Sequence, residues 1–111
     1  MSSRKYLGEF EQLVLLAILQ LHGNAYGMRI RTEIKERTNR TASLGAIYTT
    51  LERLEAKGFV SSWVGDPTPD RGGRAKKFFK LEGAGQRALQ EAQAVSARMV
   101  AGLDPLFGGG L

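Results

Sequence analysis

With 111 residues, 42% of them apolar and 24% charged, the chain has the size of one folded domain and is too apolar to be disordered. Sixteen Lys and Arg against eleven Asp and Glu give a net charge of +5, which favours nucleic acid or another polyanion as partner. The absence of cysteine excludes disulfides, thiolate metal sites and thiol nucleophiles, and fits a cytoplasmic setting.

The longest apolar run, Leu13 to Leu19, is far short of the ~20 residues that span a bilayer. It follows the acidic Glu9 and Glu11, so neither a membrane span nor a signal peptide is expected. Within Leu7 to Leu21, Phe10, Leu13, Val14, Ala17, Ile18 and Leu21 recur three and four apart and predict a largely buried first helix. Gly23 interrupts it, and Asn24 is expected to cap a second, amphipathic helix with Tyr26, Ile30 and Ile34 on its inner face, ending at Asn39.

Ser43 is the expected cap of a third helix running to about Lys57, with Leu44, Ile47, Leu51 and Leu54 as its inward stripe and Gly58 as its stop. Phe59 to Val64 and Ala75 to Leu81 read as two strands around a loop rich in Gly, Pro and Asp. From Gly83 to about Leu103 a last helix carries Leu89, Ala92, Ser96, Met99, Leu103 and Leu106 at the spacing of a helix-to-helix seam. Pro105 is expected to end it, ahead of a glycine tail.

Three short helices followed by a two-stranded ribbon is the order of a winged helix-turn-helix, whose third helix enters the major groove of DNA. The expected fold class is therefore mainly α with a small β ribbon (α+β). Residues 1–81 form the winged helix, 82–104 a dimerisation helix and 105–111 a flexible tail. With Ile47 inward, Gly45, Thr49, Glu52, Arg53 and Ala56 point outward, flanked by Ala46 and Tyr48. Gly45 and Ala46 leave room for base edges, Thr49 suits a base or a thymine methyl, and Arg53 suits guanine or phosphate. Taken alone, that face reads equally well as the solvated side of a surface helix. The wing favours DNA, because Arg71, Arg74, Lys76, Lys77 and Lys80 follow one another with no acidic residue among them.

Four segments carry a family resemblance: LGEFEQLVLLAIL (Leu7 to Leu19), AYGMRI (Ala25 to Ile30), SLGAIYTTLERLEAKG (Ser43 to Gly58) and RGGRAKKFFKL (Arg71 to Leu81). In that order they resemble the PadR family of transcriptional regulators, in its short-tailed branch, from Leu7 to about Leu103. The resemblance implies that Ser43, Tyr48, Thr49 and Arg53 lie on the recognition helix and Arg71, Arg74 and Lys76 on the wing. It also implies a homodimer built on the terminal helices and, as in many members, a repressor released by a small molecule. The sequence departs from the family at Phe78 and Phe79, where tyrosine is frequent, at Glu82, where threonine often caps the last helix, and at Asn39, where glycine is frequent.

Two chains are accordingly expected to pair through Leu7 to Leu21 and Ala84 to Leu103, using Phe10, Leu13, Leu89, Ala92, Met99 and Leu103. They would present two recognition helices to a near-palindromic site on double-stranded DNA. The same helices either leave an apolar cleft for an effector or simply fill a dimer core.

Competing classes find less support. Gly83, Gly85 and Ala88 spell the G-x-G-x-x-A of a dinucleotide turn, but no βαβ unit accompanies them. His22 is the lone histidine and has no catalytic partner motif, and Glu9 with Glu11, or Glu52 with Glu55, read as solvated helix charges rather than metal ligands. No enzyme activity, cofactor or metal is expected. The alternative that stays open is a winged-helix module that binds protein without specific DNA binding.

Overall fold

The computed structural model describes residues 6–65 and 75–103. Its elements run α1 (Glu9–Gln20), α2 (Gly27–Thr38), α3 (Leu44–Ala56), β1 (Val60–Val64), β2 (Lys77–Leu81) and α4 (Gly83–Val100). Four helices with one antiparallel ribbon make the expected α+β architecture, and among the described residues no helix is long and apolar enough to cross a membrane.

The core lies where α1, α2 and α3 meet behind the ribbon. Val14 and Leu15 of α1, Ile30 of α2, and Ile47, Leu51 and Leu54 of α3 are fully buried, and Val60 and Phe79 close the core from the strands. Each side chain of this size contributes about 1.5–3 kcal/mol by leaving water, so this interlocked set outweighs any single surface contact.

Glu11 ties α1 to α3. One carboxylate oxygen accepts the Gly8 N–H at 2.9 Å, as in a capping box, and the other meets Lys57 Nζ, at the C-terminal cap of α3, at 3.0 Å. Both side chains are largely buried, with 10% and 20% exposed.

The second helix departs from expectation. It begins at Gly27, Tyr26 occupies its cap position, and Asn24 sits exposed in the preceding turn without capping it. The reason lies far along the chain. Ala25 accepts the Phe79 N–H at 2.8 Å and Tyr26 bridges Phe78, so Ala25 and Tyr26 run extended along the free edge of β2. The stop at Asn39 is as expected, in a left-handed conformation at φ 63°.

In α3, Ser43 caps as expected, accepting the Ala46 N–H at 3.0 Å, and Gly58 follows the helix at φ 78°. Leu44, assigned to the inward stripe, is instead exposed. The buried side is centred toward Thr50, which has 5% exposure, and this turns Leu44 to the rim.

The strands pair Val60 with Leu81 through Val64 with Lys77. Right after the ribbon, α4 presses its first turns against the body. A Cβ on Gly85 would lie 2.2 Å from the Phe59 carbonyl oxygen, so close helix-to-strand packing explains this glycine without a nucleotide. Leu89 is buried in the chain's own core at 5% exposure. Beyond it Val95, Met99 and Val100 are exposed, and the helix stops at Val100, short of Leu103, where Gly102 turns at φ 87°. Leu106 and the 105–111 tail lie outside the described residues.

Candidate nucleic-acid interface

The outward face of α3 is assembled as its spacing requires. Gly45, Ala46, Tyr48, Thr49, Glu52, Arg53 and Ala56 are all exposed, while Ile47, Leu51 and Leu54 are fixed in the core beneath them. Ser43 is exposed too, but its hydroxyl oxygen already accepts from Ala46, so its first role is to hold the helix start. A Cβ on Gly45 would meet only the Ser43 hydroxyl oxygen, at 3.9 Å, which leaves open space in front of the first turn.

Tyr48 is partly claimed by the fold. Its ring lies across Gly27, where a Cβ would come within 2.5 Å of the phenol oxygen. α3 thus leans on the first residue of α2, and 40% of Tyr48 stays exposed.

The structure separates the two lysines of the wing base. Lys76 holds its ammonium 4.9 Å from the centre of the Tyr26 ring. Lys77 lies on the opposite side of the strand, 4.0 Å from a Glu55 carboxylate oxygen and 5.7 Å from the Phe79 ring centre. Glu55 also accepts from Ser62 Oγ at 2.7 Å. Lys77 therefore already shares its charge with a carboxylate, whereas among the described residues Lys76 rests on an aromatic face. Lys80 is exposed one turn of the pleat beyond Phe78. Arg71 and Arg74 lie outside the described residues.

Sequence reasoning missed three aromatic residues here. Tyr26 meets Phe78 edge-on at 5.5 Å and 76°, and Phe78 stacks on Trp63 at 5.5 Å and 17°. The cross-strand partnership of Trp63 and Phe78 was latent in the ribbon register. The arrival of Tyr26 was not, because its four-residue spacing to Ile30 and Ile34 is that of a helix face, while its backbone pairs with Phe78.

The remaining assigned residues sit on α1 and α4. Phe10 and Leu13 are half-buried against the core, Ala92 and Leu103 are half-buried, and Met99 is 76% exposed. A groove of about 340 Å³ runs between Leu7 and α4, lined by Ala88, Ala92, Val95 and Met99 with Gln12 and Glu91. Among the described residues, no group of three or more His, Asp or Glu could hold a metal ion.

Solved structures share this arrangement. The chain is similar to a PadR family transcription regulator from Clostridium difficile R20291, with 21% identity over 89% of this chain and 99% of that one and a TM-score of 0.70. A PadR-like transcriptional regulator from Bacillus cereus matches at 20% identity over 90% and 92%, also with a TM-score of 0.70. F93 from STIV, a winged-helix DNA-binding protein, matches at 18% identity over 87% and 97%, with a TM-score of 0.68. No curated protein matches the chain. The model of the transcriptional regulator PadR-like family matches residues 15–91, and the chain therefore belongs to that family of DNA-binding regulators and is not an enzyme.

Proposed function

We propose that the protein is a sequence-specific repressor that binds a near-palindromic operator as a homodimer and responds to a small apolar effector. The observation that carries the DNA-reading role is the first half of α3. A capped, rigid helix start presents Gly45, Ala46 and Thr49 without bulk, and Arg53 stands one turn further along the same exposed face. Small residues let the helix approach base edges, and Arg53 can then pair with guanine in two hydrogen bonds.

Two-fold pairing is supported by the apolar residues that one chain leaves exposed. Leu16 and Leu19 on α1 and Val95, Met99 and Val100 on α4 lie on the elements expected to pair. Two recognition helices related by a two-fold axis then read half-sites about one DNA turn, or a multiple of it, apart. The groove beside α4 supplies apolar lining with a few polar groups, Gln12, Glu91 and Ser96 among them, the chemistry of a site for a mostly apolar ligand. A ligand there acts by changing the spacing of the two reading helices.

Selection of binding sites from a random duplex pool tests this reading. The selected sites should contain two inverted half-sites, and Arg53→Ala should relax the preference at one position in each. A single unrepeated half-site would count against the dimer, and an unchanged preference with Arg53→Ala would count against the reading face.

A further inference from the structure

Three aromatic rings in contact lie where the start of α2 meets the ribbon: Tyr26 meets Phe78 edge-on, and Phe78 stacks on Trp63. Tyr48 of α3 packs on Gly27, the residue that follows Tyr26. The bare Cα of Gly65 helps to fix Phe78, since a Cβ there would come within 2.6 Å of the ring. Tyr48 and Trp63 stay partly wet, 40% and 42% exposed.

The three rings share their face with cations. Lys76 and Phe78 both touch Tyr26, and the pleat puts Lys80 on the same side. Among the described residues, Glu55 faces Lys77 on the opposite side of the ribbon, and Glu82 accepts from Ser61, the cross-strand partner of Lys80, at the end of the ribbon away from Trp63. What remains is a partly exposed apolar surface, the Trp63 and Phe78 stack with Tyr26 edge-on to it, with positive charge beside it. Deoxyribose offers apolar contact and phosphate offers negative charge, so this surface complements a sugar-phosphate backbone rather than base edges.

Given the duplex-binding role above, we infer that Trp63, Phe78, Tyr26 and Lys76 form a backbone-docking face. It rests on the sugar-phosphate ridge beside the groove that α3 enters, with Trp63 packed on sugar and Lys76 paired with phosphate. The contacts of Tyr26, Phe78 and Trp63 hold the base of the wing against the start of α2.

Trp63 is the single tryptophan, so its fluorescence reports on this face without any substitution. The probes are a duplex selected from a random pool by the protein and a scrambled duplex of equal length. Saturation with either duplex should shield Trp63 from acrylamide. Trp63→Ala should weaken binding to both about tenfold while leaving the salt slope unchanged, and Trp63→Phe should restore most of it. Lys76→Ala should lower the salt slope by ~1 on both duplexes. If the wild-type protein binds the selected duplex while Trp63 stays equally accessible and Trp63→Ala binds normally, the docking face is wrong and the DNA role stands. If the wild-type protein binds no duplex, the DNA role itself fails and this face with it.

Discussion

The phenol of Tyr48 sits where a side chain on Gly27 would otherwise stand, 2.5 Å from the position of its Cβ, so the first residue of α2 sets the posture of α3. Because the clashing atoms are the far end of a side chain, Gly27→Ala should displace the ring and leave the fold within about 1 kcal/mol of wild type. Gly85→Ala meets the rigid Phe59 carbonyl oxygen at 2.2 Å and should cost about 1–3 kcal/mol. Thermal melts of both variants check this contrast, and duplex affinity should fall for Gly27→Ala even though it melts normally.

The bond between Glu11 and Lys57 joins the N-terminus of α1 to the end of α3, across a largely buried gap. Removing either partner leaves the other polar and enclosed, so Glu11→Gln or Lys57→Met should each lose about 1–3 kcal/mol of stability. The double variant should lose less than the sum, and a denaturation cycle showing strict additivity would contradict the coupling.

Gly45 has helical neighbours and an exposed position, and nothing inside the chain requires its missing side chain. A glycine inside a helix costs about 1 kcal/mol relative to alanine. Gly45→Ala should therefore raise the unfolding free energy by up to about that amount while weakening binding to a selected operator. Calorimetry and a binding titration on the same sample decide it. Tighter folding with unchanged binding would remove Gly45 from the reading face.

Lys76 and Lys77 are neighbours in sequence and opposites in setting, one over Tyr26 and the other beside Glu55. Lys76→Ala should weaken binding alike on all duplexes, whereas Lys77→Ala should have the smaller effect, because its charge is already shared with a carboxylate. Equal losses in a salt-resolved titration would contradict the separation.

The sequence carried the bounds of α3, from the Ser43 cap to the Gly58 stop, and its inward Ile47, Leu51 and Leu54, because these are local signals; only Leu44 was misplaced. The ribbon was equally legible in its alternation of residues. The start of α2 was not, since Ala25 and Tyr26 take their backbone partners from β2, some fifty residues later, and that pairing overrides the capping preference of Asn24. Spacing also placed Leu89 and Met99 on one seam, although α4 buries its first turns in its own protomer and leaves only the later ones exposed. Periodicity marks which face of a helix is apolar, but not which chain covers it. The contacts among Tyr26, Phe78 and Trp63 escaped for the related reason that these residues come from three separate segments, the turn before α2 and the two strands.

The most direct test of the central claim is the affinity of the purified protein for the DNA upstream of its own coding sequence against a scrambled duplex, at several salt concentrations. A repressor acting at its own promoter should prefer the upstream DNA by ~1000-fold or more and lose affinity steeply as salt rises. Equal affinity for the two duplexes, or no binding even at low salt, would contradict it.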